Sequence, residues 1–320
     1  MTILINLALL MVGFVLLIKG ADYFVEGASK IADRYHIPQI VIGLTIVAFG
    51  TSAPEAAISI TSALQGNAGI AIGNVVGSNI MNILLIIGIT SIILPLKIQK
   101  NTLRFELPYV IFVTTILLLL GKADGILSIV DGLILWGLFL IFFSYLFWLS
   151  KKGEAVIDEI EEADENDTLP KLLFLTVGGL VAIVLGSRLT IDGATGIAEI
   201  FGMDERFIGL TIVAFGTSLP ELITCITAAL KGKDDIAIGN IIGSNLFNIL
   251  FVIGTTCLIQ PVEFASGFLF DTLIAVASAV LLFLFVLPKL KVSRISGFLM
   301  LVAYAVYFVQ LFITTMNAPI

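Results

Sequence analysis

The stretch Gly43-Leu44-Thr45-Ile46-Val47-Ala48-Phe49-Gly50-Thr51-Ser52-Ala53-Pro54-Glu55 lies inside a long apolar run and returns almost letter for letter from Gly209 to Glu221. Each copy sets a proline, Pro54 or Pro220, and an acid, Glu55 or Glu221, well inside a segment that otherwise reads as membrane-spanning. A proline has no amide hydrogen and its ring collides with the carbonyl four residues earlier, so the carbonyls of Gly50 and Gly216 are expected to be freed. An acid near mid-bilayer costs from about 2.5 kcal/mol upwards and normally faces a protein interior or a water-filled path. Thr51 and Ser52, with Thr217 and Ser218, add hydroxyls beside them, and an oxygen-only cluster of this kind suits a hard cation such as Na⁺ or Ca²⁺.

The surrounding composition agrees. Of 320 residues 58% are hydrophobic and 13% charged, against roughly 25% charged in a soluble domain. A bilayer core about 30 Å thick needs about 20 apolar residues per helix. On that measure ten spans are expected, at 3–31, 40–64, 70–94, 106–121, 126–149, 171–199, 206–230, 236–259, 266–287 and 295–315. The first carries no charge before Lys19 and no small-residue cleavage site, and is read as a retained helix. Cys225 and Cys257 fall within spans, where they act as small hydrophobes. The net charge of −7 comes mainly from one loop, and no basic patch for nucleic acid is found. The partners expected are the lipid bilayer and the transported ions, with no nucleic acid and no obligate protein partner.

Sliding the chain against itself by 166 positions aligns Gly20 with Gly186, Gly27 with Gly193, Gly43 with Gly209, Ser78 with Ser244 and Pro95 with Pro261 without a gap. Each unit holds five spans, and an odd number makes the second copy enter the membrane from the opposite side. The fold expected is therefore an all-α polytopic membrane protein of ten transmembrane helices in two inverted five-helix repeats. Inverted repeats with broken helices meeting near the midplane are a recurring plan of secondary transporters.

With Lys19 and Arg188 left aside as lying within spans, Lys30, Arg34, Lys97, Lys100, Arg104, Lys151, Lys152, Lys171, Lys231, Lys233, Lys289, Lys291 and Arg294 fall on one face, and only Lys122 and Arg206 on the other. The excess of Lys and Arg in cytoplasmic loops then puts both termini outside and the central loop in the cytoplasm of a multi-pass cell-membrane protein. From Glu154 to Asp167 that loop carries eight acids and no base, the mark of a solvated linker. The organisation expected is a first repeat at 1–150, an acidic cytoplasmic linker at 151–170 and a second repeat at 171–320.

In the third span Asn74, Ser78 and Asn82 are spaced by four and share one helical stripe, and Asn240, Ser244 and Asn248 repeat it in the eighth. Asn74 and Asn240 are read equally as ligands or as hydrogen-bonding residues between packed helices. Glu55 and Glu221 have no Lys or Arg at the same depth, which favours function.

The pair Gly-Thr-Ser-Ala-Pro-Glu and Gly-Thr-Ser-Leu-Pro-Glu, each followed by Gly-Ser-Asn-x-x-Asn, resembles the two alpha repeats of the sodium/calcium exchanger family within the cation/calcium exchangers. The resemblance covers nearly the whole chain. It implies ten helices in inverted halves, with gating by sliding of the first and sixth helices past the rest. It also implies a site built from the carbonyl of Ala48, Thr51, Ser52, Glu55, Ser78 and Asn82, and from the carbonyl of Ala214, Thr217, Ser218, Glu221, Ser244 and Asn248. Some relatives carry an acid at the position of Asn248, which bears on stoichiometry and potassium dependence.

The function expected is a secondary antiporter, not an enzyme, that exchanges Na⁺ for Ca²⁺ at a shared site and needs no cofactor. Alternatives are an H⁺-coupled or K⁺-dependent exchanger and a cation channel. A continuous pore fits the two helix-breaking prolines less well than alternating access. An intramembrane hydrolase would need a base beside Ser52 or Ser218, and the only histidine, His36, falls in a loop.

Overall fold

The computed structural model describes residues 2–152, 168–201 and 214–316. The acidic run Glu154 to Asp167, Arg206 and the part of the second motif from Gly209 to Val213 lie outside the described residues. The first repeat contains α1 (Thr2–Arg34), α2 (Gln39–Thr51), α3 (Ala53–Leu64), α4 (Ala68–Ile93), α5 (Thr102–Asp124) and α6 (Ile129–Lys152). The second contains α7 (Leu169–Ile200), α8 (Ala214–Thr217), α9 (Leu219–Leu230), α10 (Asp234–Ile259), α11 (Ser266–Val286) and α12 (Arg294–Met316). Eight of these are long and apolar enough to cross a membrane unaided, and α2 with α3 forms one further span bent by 52°. With α8 and α9 as the matching broken span, the chain is an all-α polytopic membrane protein in two inverted repeats.

The bend has a local cause. Ser52 leaves the helix at φ −85° and ψ 4°, and Ser218 does the same at φ −92° and ψ 3°. Pro54 and Pro220 then stand in the first turn of α3 and α9, where a missing amide breaks no helical bond and the fixed φ helps the new helix begin. The two prolines thus start half-helices instead of kinking continuous ones. At the far end Gly66 (φ 85°) and Gly232 (φ 72°) close α3 and α9 in the left-handed region that glycine tolerates.

The halves interlock. β1 (Leu96–Lys97) pairs antiparallel with β4 (Lys291–Val292), and β2 (Ile126–Leu127) with β3 (Val262–Glu263), so each repeat contributes one strand to each of the two short sheets. Leu96 faces Val292 and Leu127 faces Val262, and all four are buried. Leu96 matches Val262 at the offset of 166, but Leu127 matches Val292 at 165, so the ungapped alignment stops short of the last helical hairpin. The core of the molecule is α4 against α10. Of the most apolar stretch of α10, 94% of residues are buried, against 17% for α1, which lies at the periphery.

Candidate cation site

The two breaks and the two core helices bring together most of the residues named from sequence. Thr51, Ser52 and Glu55 are buried at the first break, and Thr217, Ser218 and Glu221 at the second. Ser78 and Asn82 on α4, with Ser244 and Asn248 on α10, are buried as well. The halves touch directly here. The Ser52 hydroxyl donates to Glu221 Oε1 at 2.9 Å, and the Thr51 hydroxyl donates to Asn240 Oδ1 at 2.9 Å. Two acids 166 residues apart in sequence therefore face one cluster.

Backbone oxygens take part. The Ala48 carbonyl accepts from Ser244 Oγ at 3.5 Å, which ties α2 to α10, and lies 3.3 Å from the Thr51 hydroxyl oxygen. In the second half the carbonyl of Gly216, expected to be freed, accepts from the Ser187 hydroxyl on α7 at 2.8 Å. Ala214 opens α8, three residues before Thr217. Gly43 and Gly239 let the chains approach so closely that a Cβ on Gly239 would stand 2.9 Å from the Gly43 Cα.

Asn74 and Asn240 are hydrogen-bonding residues. Asn74 Nδ2 donates to the Glu55 carbonyl at 3.2 Å and to Ser59 Oγ at 2.9 Å, and Asn240 Nδ2 donates to the Glu221 carbonyl at 3.4 Å. Each thus anchors the backbone that carries a glutamate. Among the described residues, both carboxylate oxygens of Glu55, Glu221 Oε2, Asn82 Oδ1, Asn248 Oδ1 and Ser218 Oγ are buried without a hydrogen-bond partner. Unpaired buried acceptors are expensive, and the six shared among the two breaks, α4 and α10 are what a desolvated cation would satisfy. The donors are carboxylate, amide and hydroxyl oxygens only. Among the described residues no three His, Cys, Asp or Glu side chains gather into a conventional metal cluster.

Sequence reasoning did not single out several residues that lie beside this cluster. Thr224, one turn beyond Glu221 on α9, has a buried hydroxyl without a partner. Asn79 and Asn245 lie inside the Gly-Ser-Asn-x-x-Asn motifs but off the stripe of four-residue spacing, and they pair with each other across the two repeats. Asn82 and Asn248 each begin a π-helical turn, Asn82–Ile87 and Asn248–Ile253. Such wide turns often accompany functional sites, and no residue pattern announces them. Away from the cluster, buried Glu106 accepts from the Tyr145 hydroxyl at 2.6 Å, and Asp271 accepts from that of Tyr307 at 3.1 Å.

The family model described as "Sodium/calcium exchanger protein" matches residues 5–148 and 171–313. The chain belongs to this family. The inner membrane protein YrbG of Escherichia coli is 38% identical over 269 residues, covering 81% of this chain and 82% of its own. The sodium/calcium exchanger MaX1 of Methanosarcina acetivorans is 32% identical over 348 aligned positions, covering 97% of this chain and 99% of its own. A solved structure of the sodium-calcium exchanger NCX_Mj, soaked with zero Na⁺ and Ca²⁺, superposes with a TM-score of 0.84 at 34% identity, covering 97% of this chain and 99% of that one. The family is one of exchangers and not of enzymes, and this chain is a multi-pass membrane exchanger of the cation/Ca²⁺ type.

Proposed function

We propose that this exchanger is an antiporter that moves Ca²⁺ against Na⁺ by alternating access at a midplane site. The site consists of the Ala48 and Ala214 carbonyls with Thr51, Ser52, Glu55, Ser78, Asn82, Thr217, Ser218, Glu221, Ser244 and Asn248. The observation that carries the reading is the set of buried oxygens on Glu55, Glu221, Asn82, Asn248 and Ser218 that find no partner within the described residues. Glu55 and Glu221 supply two negative charges, which balance one Ca²⁺ or two Na⁺, and the neutral oxygens replace hydration water. Because one set of oxygens serves both ions, occupancy by one excludes the other, and that exclusion couples the fluxes.

In this reading residues 1–150 and 171–320 are the inverted repeats joined by a cytoplasmic linker at 151–170, with both termini outside. No cofactor and no obligate protein partner is required. The test is radiolabelled Ca²⁺ uptake into proteoliposomes with Na⁺, H⁺ or K⁺ gradients imposed in turn. Uptake driven by an outward Na⁺ gradient, and by neither of the others, is the expected result. Uptake driven by H⁺ alone, or uptake with no counter-ion gradient, refutes it.

A further inference from the structure

At the contact between α4 and α10 the side-chain amide of Asn79 donates to the Asn245 carbonyl at 3.1 Å, and that of Asn245 donates to the Asn79 carbonyl at 3.3 Å. A backbone carbonyl can only accept, so both Nδ2 atoms are committed to it and both Oδ1 atoms must point elsewhere as acceptors. Each Oδ1 then meets the side chain of a residue in the proposed site. Asn245 Oδ1 accepts from Asn82 Nδ2 at 3.0 Å, and Asn79 Oδ1 accepts from Asn248 Nδ2 at 3.2 Å. The NH₂ groups of Asn82 and Asn248 are fixed by this, and the opposite ends of those amides, Asn82 Oδ1 and Asn248 Oδ1, are the buried oxygens left without a partner. Had either amide turned over, two oxygens would face each other and a donor would stand where a cation ligand is needed.

We propose that Asn79 and Asn245 are positioning residues that hold the amide oxygens of Asn248 and Asn82 toward the transported cation. The control is crossed. Asn245 of the second repeat orients Asn82 of the first, and Asn79 of the first orients Asn248 of the second. The inference rests on the site proposed above and names the residues that decide the orientation of two of its ligands.

The experiment measures Na⁺-driven uptake of radiolabelled Ca²⁺ against Ca²⁺ concentration for Asn79→Leu and Asn245→Leu, each alone and combined with Asn248→Asp or Asn82→Asp. Each leucine variant is expected to raise the apparent KM for Ca²⁺ about tenfold and to lower the Tm, because it also removes a bond between α4 and α10, and the matched aspartate should restore the KM without restoring that Tm. A carboxylate presents an oxygen whichever way it turns. Asn248→Asp should therefore restore the KM of Asn79→Leu, and Asn82→Asp that of Asn245→Leu, whereas the swapped combinations should not. An unchanged KM in the leucine variants overturns the proposal. So does restoration by either aspartate indiscriminately, which would reflect added charge and not orientation. Should the leucine variants fail to accumulate in the membrane, Asn79→Ser and Asn245→Ser carry the same test with the same outcomes, a hydroxyl being too short to reach both partners. Unimpaired transport by Glu55→Gln would refute the site itself, whereas its loss together with an unchanged KM in the asparagine variants refutes the positioning role alone.

Discussion

Helices α1 and α7 meet through glycine, whereas α4 and α10 meet through asparagine. On α1, Gly13, Gly20 and Gly27 recur every seven residues, and a Cβ on them would stand within 3.0 Å of Gly186, Gly179 and Leu172 backbone oxygens of the antiparallel partner. Gly179, Gly186 and Gly193 of α7 return the contact from the symmetric positions. Such a seam is steric. It lets backbones pack closely by dispersion, and its contacts have no preferred direction. The α4–α10 contact is directional, since reciprocal amide bonds between Asn79 and Asn245 tolerate neither rotation nor translation without losing their geometry. A glycine seam at the periphery and a hydrogen-bonded pair in the core are the two kinds of contact that the proposed alternating access would use.

This contrast can be broken most severely in the core. Glu55→Gln and Glu221→Gln each keep size and remove charge, and each is expected to lower Ca²⁺ transport on the order of a hundredfold, because a charge in a desolvated site interacts far more strongly than in water. Uptake assays alongside size-exclusion profiles check it, and near-parental exchange by either variant would remove the two-carboxylate core. Next in size is Gly239→Ala, whose new Cβ would press on the Gly43 Cα at 2.9 Å and push α2 from α10. An overpacking cost of about 1–3 kcal/mol beside the site should raise the KM for Ca²⁺ roughly tenfold.

The seam should respond differently to a similar insult. In Gly186→Ala the added carbon would lie 2.7 Å from the Leu17 amide nitrogen. The expected result is a several-fold lower turnover and a reduced Tm, with KM within about twofold of the parent, since overpacking there acts first on the α1–α7 seam and none of the proposed ligands lies on either helix. A KM shift as large as that of Gly239→Ala would erase the distinction between the two regions. The smallest effect concerns potassium. Asn82 and Asn248 are neutral amides, so the proposed site holds two negative charges and none to spare for a K⁺ beside Ca²⁺. Replacing K⁺ by choline should leave the initial rate of Na⁺-driven uptake unchanged within about twofold, and loss of uptake in choline would refute the charge count behind that expectation.

Much of this architecture could be read from the chain alone, because the signals are local. An apolar run long enough to span a bilayer, a proline beside an acid, and amides spaced by four each depend on neighbours within a turn or two. The repeat of those signals at 166 positions adds the inversion by counting spans. Glu55, Glu221, Asn82 and Asn248 are legible for that reason. Residues acting through partners are not. That Ser52 bonds Glu221, that Asn245 bonds Asn82, and that Leu127 lies opposite Val262 are matters of which helices meet and at what height.

The sequence determined the duplicated unit and the two broken spans, since composition and short-range spacing suffice for these, and through its resemblance to the exchanger family it supplied the candidate oxygen donors. Only the tertiary structure decided that the prolines begin half-helices, that the Gly216 carbonyl is taken by Ser187, and that Asn79 and Asn245 lock each other across the repeats. The physical reason is that a hydrogen bond needs its partner within about 3 Å and in line. No residue carries in its own letter which distant segment folding will bring to that distance.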